Sequence, residues 1–90
     1  MIPKSIFIEA RSWFDKSGGN SYWSARVLVD GAVQCVIPMT YGYGAEFIRG
    51  SLEELQKQGV VPSSDAFDLK TAGVHIYSVI YPTTKKEMFK

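Results

Sequence analysis

The stretch Tyr22-Trp23-Ser24-Ala25-Arg26-Val27-Leu28-Val29-Asp30-Gly31-Ala32-Val33-Gln34-Cys35-Val36-Ile37 decides the fold. Trp23, Ala25 and Val27 recur at every second position, the signature of a half-buried strand. Val29-Asp30-Gly31 punctuates the run and Ala32 to Ile37 resumes it, so the two runs read as a β-hairpin. Its register follows from what must share a face. A two-residue Asp-Gly loop, the commoner device, sets Val27 opposite Gln34. A three-residue loop with Gly31 in the left-handed conformation pairs Val27 with Val33, Ala25 with Cys35 and Trp23 with Ile37. That face is uniformly apolar, and the three-residue loop is the expectation.

Working outward, Ile6, Ile8 and Ala10 alternate with Phe7, Glu9 and Arg11 in an earlier strand that runs to about Phe14. Asp15 to Asn20 is dense in turn formers and reverses the chain. Downstream, Phe47, Ile48, Leu52 and Leu55 make one apolar stripe with Ser51 in its gap, which predicts a helix from about Ala45 to Gln58. Gly44 is the expected N-cap, Glu46 suits the positive end of the helix dipole, and Gly59 suits the left-handed C-terminal position. Gly50 fits either a close approach to the sheet or a plain surface position. Ser63 to Gly73 reads as an irregular connection with one helical turn at Asp65–Leu69. Val74 to Tyr81 alternates again as a fourth strand, ended by Pro82.

This order, β-β-β-α-β, is an α+β fold. It comprises a three-stranded antiparallel meander, one helix packed on one sheet face, and a fourth, C-terminal strand. A right-handed crossover returns that strand parallel to the first and beside it. Residues 1–82 read as a single domain, and 83–90, with Lys85, Lys86 and Lys90, as a flexible tail.

Composition excludes several functions. Ninety residues, 46% hydrophobic and 21% charged, suit one ordinary globular domain with a small core. Ten Lys/Arg against nine Asp/Glu argue against a polybasic nucleic-acid binder and against an acidic nucleic-acid mimic. One cysteine, Cys35, excludes an internal disulfide, and with His75 as the sole histidine it excludes a Cys/His zinc site. No metal or cofactor is expected. No apolar run approaches the roughly 18 residues of a membrane span. The apolar run after Lys4 is broken by Glu9 and Arg11, too early for a signal peptide, so the expected setting is a reducing cytoplasm.

No catalytic constellation stands out, and an enzyme is not expected. Tyr41-Gly42-Tyr43-Gly44 lies between strand and helix, where Gly-rich loops cradle phosphates. Phe47, however, stands where a dinucleotide fingerprint needs a third glycine, and Glu46 repels a phosphate. The loop reads instead as a tight turn whose tyrosines anchor it or meet a partner. His75 and the carboxylate pairs Glu53–Glu54 and Asp65–Asp68 lack an apolar pocket, and Cys35 reads as a small hydrophobe.

The functional signal is the sheet face away from the helix. If Ile6, Ile8, Ala10, Trp23, Ala25, Val27, Val33, Cys35 and Ile37 face the helix, then Glu9, Arg11, Trp13, Tyr22, Ser24, Arg26 and Gln34 face outward. The fourth strand adds His75, Tyr77 and Tyr81 if its register allows. Trp, Tyr and Arg dominate binding hot spots, because they bury large area at little entropic cost and still offer hydrogen bonds. The candidate partner-binding residues are Arg11, Trp13, Tyr22, Arg26, Tyr41 and Tyr43. Three other readings share this face. The rings could complete the core against the Ser63–Gly73 loop, form a homodimer seam, or stack the bases of a single-stranded nucleic acid.

Several strings along the chain carry a resemblance: Trp13-Phe14-Asp15, Gly19-Asn20-Ser21-Tyr22-Trp23-Ser24-Ala25-Arg26-Val27, Val29-Asp30-Gly31, Pro38 and Tyr41-Gly42-Tyr43-Gly44. Together they resemble a group of small proteins encoded by bacteriophages and other mobile elements. Those proteins have the pattern Trp-(Phe/Tyr), Gly-Asn-x-Tyr-x-Ser, Pro and Tyr-Gly-Tyr-Gly before an amphipathic helix. The resemblance covers about Ile6 to Gly59 and leaves Ser63–Lys90 unmatched. It implies a phage or prophage source and a non-enzymatic inhibitor of anti-CRISPR type. Such an inhibitor would occlude a protein surface of a bacterial defence nuclease complex in the host cytoplasm.

Overall fold

Four strands make one mixed sheet in the order β3-β2-β1-β4. They are β1 (Ser5–Asp15), β2 (Asn20–Val29), β3 (Ala32–Tyr41) and β4 (His75–Pro82), in a computed structural model that describes residues 2–89. Met1 and Lys90, the outer ends of the expected domain and tail, lie outside the described residues. β1, β2 and β3 form the antiparallel meander, and β4 pairs with β1 in parallel, as the β-β-β-α-β order requires. The crossover carries α1 (Glu46–Lys57) and a shorter α2 (Ala66–Thr71) on one face.

The hairpin register differs from the expected one. Val29 pairs with Ala32, so the β2–β3 loop is the two-residue Asp30-Gly31 turn, with φ of 51° and 87°. Both residues are left-handed, as a turn matching the strand twist demands. Asp30 is fastened as well, since its Oδ1 accepts from the Lys4 and Ser5 amides at 2.8 and 3.0 Å. The polar mismatch expected of this turn is removed by a bulge. Leu28 pairs with Val33 but Val27 with Cys35, leaving Gln34 as an extra residue of β3. A second irregularity follows, since Ala25 pairs with Ile37 and Trp23 with Thr40. Cys35 and Ile37 therefore still pack on the core, whereas Val33 is exposed. Gln34, expected to face outward, instead donates to Gln58 at the end of α1.

The core is the face where Ile6, Ile8, Ala10, Trp23, Ala25 and Val27 meet Phe47, Leu52, Leu55, Val61, Leu69 and Val74. The N-cap of α1 is Ala45 rather than Gly44, with no side-chain cap; Gly44 sits just before it in a left-handed turn at φ 64°. The helix ends as expected at Gly59, with Gly59 N–H donating to Gln56 O and Val60 N–H to Leu55 O. Gly50 is a point of close approach, because a Cβ there would lie 2.6 Å from Trp23 Cζ2.

The closing segment overturns one expectation. Thr83 to Phe89, read as a flexible tail, folds back across the sheet face opposite the helices. Thr83 N–H donates to Ser12 O at 2.7 Å, and Phe89 N–H donates to Ser24 Oγ at 2.9 Å. Lys85–Glu87 form one 3-10 turn with a Thr84/Glu87 capping box, and Met88 is buried against Ser24. The lysines suggested solvent, yet burying one Met side chain is worth about 1.5–3 kcal/mol. A sheet face with no helix of its own supplies the place.

Candidate functional site

Alternation along β1 and β2 builds the strapped face from cross-strand pairs: Glu9 with Arg26, Arg11 with Ser24, and Trp13 with Tyr22. The two arginines are consumed locally. Arg26 donates from Nε and Nη2 to Glu9 Oε1. Arg11 Nη1 donates to Glu87 O at 2.6 Å, and its guanidinium lies 4.4 Å from the centre of the Phe89 ring. Arg11 therefore braces the strap, whereas Arg26, its side chain 44% exposed, is held by Glu9 with its guanidinium 5.8 Å from the Phe89 ring centre.

The aromatic candidates behave differently. Trp13 stacks on Tyr22 at 5.5 Å between ring centres, and Tyr22 meets Tyr41 edge-on at 5.9 Å. The register explains this row, since Trp13 pairs with Tyr22 across β1–β2 and Tyr22 with Tyr41 across β2–β3. Lys85 of the strap places its Nζ 5.5 Å from the Trp13 ring centre. Tyr43 stands beyond the row, in the turn to α1. Tyr41 and Tyr43 are 62% and 72% exposed, and with Gly42 they border a shallow depression closed by the Glu46–Arg49 ion pair. Gly42 permits this turn: a Cβ on it would press on the Trp23 indole at 3.0 Å.

Of the six candidates, then, Trp13, Tyr22, Tyr41 and Tyr43 lie together at one end of the sheet, and Arg11 and Arg26 lie farther along it, beside Phe89 of the strap. The Ser63–Gly73 segment does not cover the rings; it packs on the opposite face, where Leu69 joins the core. β4 does add His75, Tyr77 and Tyr81 to the strapped side, with His75 stacked on Tyr77. Sequence reasoning missed Lys85, Met88 and Phe89 as parts of this face. The one available signal was the Met88-Phe89 pair following a run of charges.

Titratable groups at the site's margins serve structure. Ser17 Oγ donates to Asp15 Oδ1 at 2.7 Å and, with the Ser17 and Gly18 amides, holds that carboxyl below its ordinary 3.8. Burial, then Glu54, pushes the Cys35 thiol above its ordinary value. Among the described residues, no three His, Cys, Asp or Glu side chains cluster in a way that could hold a metal ion. Among the same residues no helix is long and apolar enough to cross a membrane. Compared with family models, curated proteins and solved structures, the chain has no match.

Proposed function

We propose that this chain is a non-enzymatic binding protein that recognises a folded protein through the aromatic end of its sheet. The carrying observation is the contiguous row Trp13–Tyr22–Tyr41, continued by Tyr43 on the adjoining turn, with its two outer tyrosines more than half exposed. Rings fixed by stacking lose little freedom when a partner covers them, so their burial counts almost fully toward affinity. The strings that resemble phage-encoded proteins give the reading its context. Trp13-Phe14-Asp15, Gly19 to Trp23 and Tyr41 to Gly44 all meet at this same end. The partner is accordingly a bacterial defence complex of CRISPR-Cas type, inhibited by occlusion of its surface in the host cytoplasm.

Base stacking on a single-stranded nucleic acid fits the site less well. Trp13 already stacks on Tyr22 and carries Lys85 beside its ring, so it offers no free face of the kind a stacking platform uses.

The test compares immobilised native chain with a Tyr41→Ala/Tyr43→Ala variant in capture from bacterial lysate. The native chain retains a host protein complex, and the variant loses at least about tenfold of it, since single hot-spot truncations cost about 2 kcal/mol or more. The circular dichroism spectrum stays unchanged. Equal retention by both chains contradicts the assignment. Arg26→Glu is a poor probe, because it would set a second carboxylate against Glu9.

A further inference from the structure

The two edges of the sheet are unlike. β3 contains Pro38, which has no N–H to offer, and two register shifts that break its ladder. Such features keep a sheet edge from pairing with another chain. β4 has neither. From His75 to Tyr81 it holds no Pro, Gly, Asp, Glu, Lys or Arg, and among the described residues its only strand neighbour is β1. Ile76, Tyr77, Val79, Ile80 and Tyr81 are residue types that favour strands. Tyr77 and Tyr81 are more than half exposed.

Backbone alternation fixes which groups of this edge are free. His75 N–H donates to Lys4 O and Thr83 N–H to Ser12 O, both toward β1. Bonding direction alternates along a strand, so Ile76, Ser78 and Ile80 turn their N–H and C=O groups outward. In an antiparallel pair, residues that exchange both bonds sit directly opposite each other. These three are evenly spaced about Ser78 and are therefore self-complementary. Ser78 meets Ser78 of a second copy, and Ile76 meets Ile80. The positions between match too, with Tyr77 against Val79 and His75 against Tyr81, and no like charges face each other.

We propose that two copies of this chain associate edge to edge, pairing their β4 strands antiparallel about a twofold axis at Ser78. The result is one continuous sheet of twice the strand number. Because β4 runs parallel to β1, the twofold sets the two aromatic ends at opposite extremes of the dimer.

Light scattering after size exclusion tests this on the full chain. The native protein elutes with twice the 10.0 kDa chain mass. Ser78→Pro removes only an outward-facing N–H and returns the mass to a single chain, with the circular dichroism spectrum unchanged. Should that variant lose its fold, Ser78→Lys serves instead. It sets like charges face to face at the axis, giving a monomer at low salt and a dimer again at high salt. A single-chain mass for the native protein at every concentration overturns the proposal. So does a dimer that survives both substitutions. Tyr41→Ala/Tyr43→Ala leaves the mass at the dimer value, so the two proposals fail separately.

Discussion

At the residue scale, Trp23 governs how closely the helix and sheet approach. Its indole meets Gly42 at the Nε1 end and Gly50 at the Cζ2 end; a Cβ on Gly42 would press on it at 3.0 Å, and one on Gly50 would collide with it at 2.6 Å. Helix propensity alone makes Gly50→Ala stabilising by about 1 kcal/mol. Contact with a buried ring makes it destabilising, since overpacking a core costs typically about 1–3 kcal/mol. The second effect wins here, because Trp23 is 5% exposed and has no solvent to retreat into. Gly50→Ala therefore lowers the denaturant midpoint, as followed by Trp fluorescence; an unchanged or raised midpoint would show that the ring can yield. Ser51, the next residue, fills the gap in the apolar stripe with a buried hydroxyl that has no hydrogen-bond partner. Only a small side chain suits a helix lying this close to the sheet.

At the element scale, the strap carries the main lesson. Periodicity identified every strand and α1, because alternation and the 3.6-residue stripe are imposed directly by burial on one face. It also identified Ile6, Ile8, Ala10, Trp23, Ala25 and Val27 as the core side of the sheet. Two features left no such trace. The bulge at Gln34 inserts one residue into β3, which no local pattern distinguishes from a longer loop. The strap buries little beyond Met88 and Phe89, too short a run to show a period. It is held by single bonds from distant residues, such as Ser24 to Phe89 and Arg11 to Glu87. Met88→Ala removes the side chain at its centre and costs about 2 kcal/mol, the low end for a buried Met because an exposed segment can relax. Chemical denaturation measures that loss. A variant as stable as the native chain would mean that the strap adds nothing to the fold.

At the scale of the whole molecule, near-neutral charge coexists with a definite polarity of shape. The molecule measures 44 × 22 × 20 Å, and the β1–β2 turn closes its aromatic end. Phe14, on the helix side of β1, is 55% exposed there. Trp13 and Tyr22 were legible in the sequence because they alternate out of the core, whereas Tyr41 and Tyr43 were found as turn tyrosines, and Tyr41 joins the row only because β3 runs on to it past a register shift. The role of Arg11 was not legible, since it depends on a strap from the far end of the chain, and Arg26 pairs with Glu9 across β1–β2. The surface left open is thus narrower than the whole sheet face and richer in rings than in charge. Oxidative footprinting of the chain, alone and with the host complex proposed as its partner, tests this most directly. The account predicts that Tyr41 and Tyr43 lose their reactivity in the complex while Phe67 on α2, 75% exposed, keeps it. Protection of Phe67 with Tyr41 and Tyr43 still reactive would contradict it.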